Sequence, residues 1–255
     1  MNNYMKSNKA PIFGISRHRI ETDGFGIKTL VTFMGCPLKC KYCINDICHV
    51  PLPAEEYSIE WLSPQELYDR VKIDNLYFLA TNGGITFGGG EPGLYADYIK
   101  EFKSICHKEW KLTLQTSLNY SQKYLEELLP VIDEFIVDVK DMNPDIYKAY
   151  TGVGNEQVIN NLLLLKEYSQ TKNITIIVPM IPNYTIDTWK SLEELSKLGI
   201  FGFIPHKYKE YIIPDEYIVP YEMPKGSQDI YRTPGCIKSE SREIFRNPRL
   251  IKNHI

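Results

Sequence analysis

No stretch of this chain approaches the eighteen or so consecutive apolar residues of a membrane-spanning helix, so a helical membrane protein is not expected. Basic excess is missing too. The 29 Lys and Arg face 32 Asp and Glu, a net charge of −3, which removes the whole-chain signal of a nucleic-acid binder. Neither nucleic acid nor membrane is therefore expected as a partner. The opening segment, 1–11, is polar and lacks the apolar stretch of a secretion signal. That makes the cytoplasm the expected compartment, where the six cysteines (36, 40, 43, 48, 106 and 236) are reduced or metal-bound rather than paired. A length of 255 residues suffices for one α/β domain with a substantial core and does not require a second.

What is present alternates. Apolar runs at 28–34, 84–87, 111–116, 134–139, 174–179 and 200–204 read as buried strands, and amphipathic stretches at 95–107, 121–129, 155–169 and 186–198 read as helices. A further helix start is signalled by Ser63-Pro64-Gln65-Glu66, with Ser63 as N-cap, Pro64 at N1 and Glu66 at N3. Continuous apolar strands between helices predict a parallel sheet covered on its outer side. Six βα units are too few for a closed eight-stranded barrel, so the expected fold is an α/β partial (β/α)6 barrel, with active residues at the C-terminal strand ends. From Pro205 onward the pattern weakens. We expect a single domain over 1–255, with a core of about 21–204 and a tail, 205–255, packing over the barrel.

Directly after the first expected strand comes Cys36-Pro37-Leu38-Lys39-Cys40-Lys41-Tyr42-Cys43. Three thiols so closely spaced can hold three irons of a [4Fe-4S] cubane and leave the fourth iron open; a structural zinc site completed by Cys48 or His49 is the alternative. A second motif, Gly88-Gly89-Gly90-Glu91-Pro92, follows the strand at 84–87. Glycines at a strand end allow close backbone approach to a ligand, and Glu91 adds an anionic acceptor suited to ammonium. Asp138 and Lys140, two apart at the end of the strand at 134–139, share one face and can form a mixed-charge site or a structural ion pair.

CxxxCxxC with an aromatic before the last cysteine and a downstream GGE resembles the radical S-adenosylmethionine superfamily. Within it, Asp23-Gly24-Phe25-Gly26-Ile27-Lys28 resembles the DGPGIR element of pyruvate formate-lyase activating enzyme and other glycyl-radical activases. The resemblance implies that Cys36, Cys40 and Cys43 ligate the cluster, whose free iron chelates the amino and carboxylate groups of S-adenosylmethionine. It places Tyr42 by the adenine, Gly89 and Gly90 on the methionine ammonium, and Glu91 and Thr116 around that pocket. Asp138 and Lys140 match the activases' DxK and would contact the ribose and the methionine carboxylate. Asp23, Gly24, Phe25 and Gly26 would meet the glycine-bearing loop of a partner.

The implied chemistry is reductive cleavage of S-adenosylmethionine by one electron from a donor such as flavodoxin or ferredoxin, followed by hydrogen abstraction from a glycine of a glycyl-radical enzyme. A peptide or small-molecule substrate is the second expectation, and a non-enzymatic zinc module is the third. Three departures bear on this choice. Gln115 stands where the activases carry an acidic residue beside a monovalent cation, so the charge that would hold that cation is missing. Phe25 replaces a proline. Pro205-His206 lies one residue short of the family's PYH, which leaves His206 as an adenine neighbour or a surface histidine. Cys236, in a Pro-Gly turn, is either a hydrogen donor to a substrate radical or an uninvolved packing cysteine.

Overall fold

The computed structural model describes residues 8–20, 22–52, 58–180, 184 and 188–200, and the backbone of 203–207. Cys236 and the tail beyond 207 lie outside the described residues, as does any packing of that tail over the barrel.

Six parallel strands form the centre: β2 (Ile27–Phe33), β4 (Gly84–Gly89), β5 (Lys111–Thr116), β6 (Glu134–Asp138), β7 (Asn173–Met180) and β8 (Phe203–Lys207). They lie side by side in chain order as one open sheet, the partial barrel expected from the sequence. Two further strands extend the β2 edge: β1 (Ala10–Ile20), antiparallel to β2, and the short β3 (Glu60–Leu62), antiparallel to the start of β1. The intervening helices are α1 (Pro64–Val71), α2 (Asn75–Thr81), α3 (Ala96–Ile105), α4 (Gln122–Leu128), α5 (Pro144–Thr151), α6 (Glu156–Lys166) and α7 (Thr188–Lys197).

The start of α1 is the capping box read from the sequence. The Glu66 amide donates to Ser63 Oγ at 3.2 Å, and the Ser63 amide donates to Glu66 Oε2 at 2.7 Å. β1 had no counterpart in the sequence reading. Its outer half is solvent-facing, and His18 takes a φ of 58° inside a register break between Ser16 and Arg19, so no alternation survives to be read. α2 escaped notice because Leu76, Tyr77 and Leu79 are exposed and blur the helical period. The last strand runs three residues later than expected, which puts His206 inside β8, opposite Pro179 of β7, and not after it.

Register explains which side of the sheet is packed. Val31, Phe87, Leu114 and Phe135 form one row across β2, β4, β5 and β6, all fully buried beneath the helices. Each such side chain contributes on the order of 1.5–3 kcal/mol through burial. The neighbouring row is Leu30, Thr86, Thr113 and Glu134. Successive residues alternate faces, so this largely polar row lines the concave side.

The added edge is locked by one carboxylate. Asp74, preceding α2, is fully buried and accepts two hydrogen bonds from Arg17 Nε at 3.0 and 2.8 Å, one from Thr29 Oγ1 at 2.9 Å, and sits 3.0 Å from His18 Nε2. Burial would raise its pKa, but the Arg17 and Thr29 hydrogen bonds outweigh it and hold the carboxyl below its usual range. Asp74→Asn should cost about 2–4 kcal/mol, because a buried partner is removed from a hydrogen-bonded charge pair. A group with a depressed folded pKa stabilises above its unfolded value of about 4 and loses that contribution as pH falls through the folded one. Urea denaturation should therefore show the wild-type advantage at neutral pH shrinking below about pH 4.

Candidate active site

The cysteine loop is held at its base by backbone hydrogen bonds. Phe33, at the end of β2, is fully buried and stacks on Phe87 and Tyr95 at ring-centroid distances of 5.7 and 4.5 Å, and Tyr95 Oη donates to the Met34 carbonyl at 2.8 Å. The loop then crosses the C-terminus of α5. The amides of Lys39 and Lys41 donate to the carbonyls of Thr151 and Tyr150 at 2.8 and 3.1 Å, satisfying acceptors that a helix end leaves unpaired. Leu38 is buried between these two anchors.

The glycine strap lies directly against the same base. The Gly90 amide donates to Phe33 O at 2.8 Å, and the Glu91 amide donates to Gly35 O at 2.7 Å. Gly89 has a φ of 93°, and a Cβ there would lie 2.7 Å from Thr32 Cβ; one on Gly90 would run into the Gly35 carbonyl. The glycines are thus required by backbone-on-backbone approach, whatever ligand they also serve. Gly90→Ala should separate the strap from the cysteine loop, costing about 1–3 kcal/mol in overpacking and lowering iron content after anaerobic reconstitution.

Glu91 is buried inside this arrangement. Its Oε1 accepts from Thr116 Oγ1 at 2.6 Å and the Gly93 amide at 3.1 Å; its Oε2 accepts from the Ser117 amide at 2.9 Å and Ser117 Oγ at 2.6 Å. Burial pushes its pKa up, against the pull of these donors. Glu91 and Thr116 therefore spend their polar atoms on each other, joining the ends of β4 and β5. The pair shapes the site from behind, and on the strap itself the Gly89 carbonyl takes a hydrogen bond from Asn45 Nδ2 at 3.1 Å. A carbonyl has two lone pairs, so a second donor such as an ammonium can still be accommodated.

From β6, Lys140 Nζ pairs with Asp138 Oδ2 at 2.8 Å. Burial works against the Lys140 charge, yet Asp138 and the neighbouring Cys40 thiol outweigh it and hold the ammonium above its ordinary range. In return Lys140 partly offsets the burial that pushes Cys40 up to about 11. The neighbouring Cys48 thiol draws Cys36 down and Cys43 down to about 6. Three motif thiols on one loop, two of them biased toward thiolate, fit the donor set that an iron-sulfur cluster requires. A cavity of about 440 Å³ opens on this loop, lined by Lys39, Cys40, Lys41, Cys43, Asp46 and His49. Tyr42 packs edge-on to Tyr184, with ring centroids 6.3 Å apart.

Cys36, Cys40, Cys43, Tyr42, Gly89, Gly90, Glu91, Thr116, Asp138 and Lys140 thus gather at the C-terminal strand ends. Asp23–Gly26 does not join them. It enters β2 at the opposite end, about 20 Å away along the strand. Asp23 is buried and accepts from Arg19 Nε at 2.5 Å and Thr22 Oγ1 at 2.7 Å, while its carbonyl takes Thr86 Oγ1 at 2.6 Å. The Phe25 amide donates to Glu134 Oε2 at 3.2 Å; that oxygen also accepts from Thr113 Oγ1 at 2.9 Å and lies 3.8 Å from Lys28 Nζ. These contacts make a floor to the concave face. The Phe25 side chain, 69% exposed, points away from it. Sequence reasoning missed Asn45, Ser117, Lys28 and Glu134 as contributors, since no spacing rule singles out residues that act only after strands are paired.

Comparison with known proteins shows the family and the fold. The family model described as the radical SAM superfamily matches residues 30–195. The (2S)-3-sulfopropanediol dehydratase activating enzyme of Klebsiella oxytoca is 28% identical, over 71% of this chain and 75% of that protein. The pyruvate formate-lyase 1-activating enzyme of Escherichia coli K12 is 24% identical, over 88% and 93% respectively. Among solved structures, Streptococcus suis SuiB bound to S-adenosylmethionine superposes with a TM-score of 0.54 at 18% identity, covering 78% of this chain and 44% of that one, a likeness of fold. These matches leave no place for the reading as a non-enzymatic zinc module, and among the described residues no helix is long and apolar enough to cross a membrane. The chain belongs to the radical SAM superfamily, enzymes that use a [4Fe-4S] cluster and S-adenosylmethionine.

Proposed function

We propose that this protein activates a glycyl-radical enzyme by removing a hydrogen atom from a backbone glycine of that partner. The observation that carries the reading is the convergence of Cys40 with Asp138 and Lys140, the DxK pair by which the sequence resembles the activases; relatives named as activating enzymes support it.

Cys36, Cys40 and Cys43 would hold the cluster. The Gly89 carbonyl would accept from the methionine ammonium, Lys140 would take its carboxylate, and Asp138 would take the ribose hydroxyls, with Tyr42 beside the adenine and His206, a β8 residue, as the second adenine neighbour that the resemblance implies. When bound, cluster and cofactor supply a one-electron cleavage that generates a hydrogen-abstracting radical. The chain's own task is to orient the cofactor and exclude water: Lys140 stays charged beside Asp138, and Glu91 keeps the strap and the β5 end together. Phe25 is the side chain of the 23–26 loop offered to a partner, while Asp23 and Gly24 keep that loop in place. The electron would come from a one-electron donor such as flavodoxin or ferredoxin.

Anaerobic incubation with S-adenosylmethionine, a reductant and the cognate glycyl-radical enzyme should produce a glycyl doublet by electron paramagnetic resonance. Cofactor cleavage without that doublet, with a modified peptide or small molecule found by mass spectrometry, would replace this reading by the second expectation.

A further inference from the structure

We infer that the cysteine loop holds a second, mutually exclusive metal set: a single soft divalent ion bound by Cys43, Cys48 and His49. After Cys43 the chain turns through a short 3-10 helix, Asp46–His49. This turn is pinned at both ends, by the Cys48 amide on Asn45 O at 2.9 Å and by the Gly35 amide on the Cys48 carbonyl at 2.8 Å. The return brings Cys48 and His49 back onto Cys43, so that one donor atom from each of the three lies within 4.8 Å of the others. Cys48 is buried and His49 is exposed, giving the set one anchored ligand and one open to an arriving ion.

The spacing decides what such a set can hold. With metal–sulfur bonds of about 2.3 Å and metal–nitrogen bonds of about 2.0 Å, ligands on one tetrahedral ion lie about 3.5–4 Å apart, so closing this set takes about an ångström of movement. A cubane instead binds its cysteines through separate irons. Cys40 lies outside the set. The cluster set of Cys36, Cys40 and Cys43 and the single-ion set share Cys43, and an ion in one blocks the other. Binding releases the protons of the two thiols to solvent and changes no oxidation state.

Cobalt(II) titrated anaerobically into full-length, cluster-free protein reads the site directly. The expected result is the intense visible bands of a tetrahedral ion together with thiolate-to-cobalt charge transfer. Cys48→Ser and His49→Ala should each weaken binding about ten- to a hundredfold, because each removes a donor from the ion. Cys40→Ser should keep the cobalt spectrum. Zinc added before iron and sulfide should suppress cluster formation in the wild type and do so far less in His49→Ala, whose cluster assembly without zinc shows that it is folded. Weak octahedral bands, wild-type affinity in the Cys48 and His49 variants, or loss of the cobalt spectrum in Cys40→Ser would overturn the assignment. None of these readouts depends on which substrate the enzyme attacks.

Discussion

Cys40→Ser should leave a folded protein that cannot hold its cluster. The fold is expected to survive because the loop is fastened by main-chain groups: the Lys39 and Lys41 amides on the end of α5, and the Gly35 carbonyl and amide on Glu91 and Cys48. None of these involves the Cys40 side chain. The site should nevertheless fail, since Cys40 is the motif thiol set beside Lys140, and a serine hydroxyl is a poor ligand for iron. Iron and sulfide content after anaerobic reconstitution should fall sharply, and reductive cleavage of S-adenosylmethionine should drop by about a thousandfold or more, equivalent to about 4 kcal/mol of transition-state stabilisation. Thermal unfolding of the metal-free variant should match that of the metal-free wild type. A variant that retains cluster content would mean that Cys48 had replaced Cys40.

Glu91→Gln should be strongly destabilising although it is nearly isosteric. The carboxylate offers two acceptor oxygens to four donors from Gly93, Thr116 and Ser117. An amide keeps one acceptor oxygen and turns an NH2 group on donors that have nowhere else to go. With the residue buried, the cost should be about 3–5 kcal/mol, the range for removing one partner from a buried charge network. Chemical denaturation of metal-free protein checks this. Cofactor affinity should fall with it, because the strap bearing Gly89 and Gly90 is tied to β5 through Glu91. Glu91→Asp, which keeps both oxygens but retracts them, should recover part of the stability. Equal stability of the Gln variant and the wild type would show that Glu91 is protonated in the folded protein.

The two predictions rest on different kinds of information. Cys36, Cys40 and Cys43 stood out in the sequence because a candidate ligand loop depends on spacing along the chain: it is short, and its geometry is mostly local. GGGEP and Asp138/Lys140 were legible for a related reason, as each lies at the end of a readable apolar strand. The role of Glu91 was not. As a sequence it reads as an acceptor for the ligand, whereas the structure turns it toward Thr116 and Ser117, which lie 25 and 26 residues later. Only the parallel pairing of β4 with β5 brings these groups together, and a single chain carries no local mark of that register.

The 23–26 loop shows the same limit from the other side. Its resemblance to the activase element was visible from residue types, and so was a turn before a strand. Its position at the strand-start end, with Asp23 and the Phe25 amide held by Arg19, Thr86 and Glu134, depends on contacts of up to 109 residues in sequence separation. By itself, then, the sequence determined the strand–helix alternation, the open barrel, the spacing of the three candidate cluster cysteines and the superfamily, all carried by periodicity and short spacing. Tertiary structure alone decided which polar groups spend their hydrogen bonds on the scaffold, and that Cys48 and His49 fold back onto Cys43. Burial and register set the first outcome and are properties of strands once paired; the second follows from the 3-10 turn at Asp46–His49 and the hydrogen bond that ties its end to Gly35.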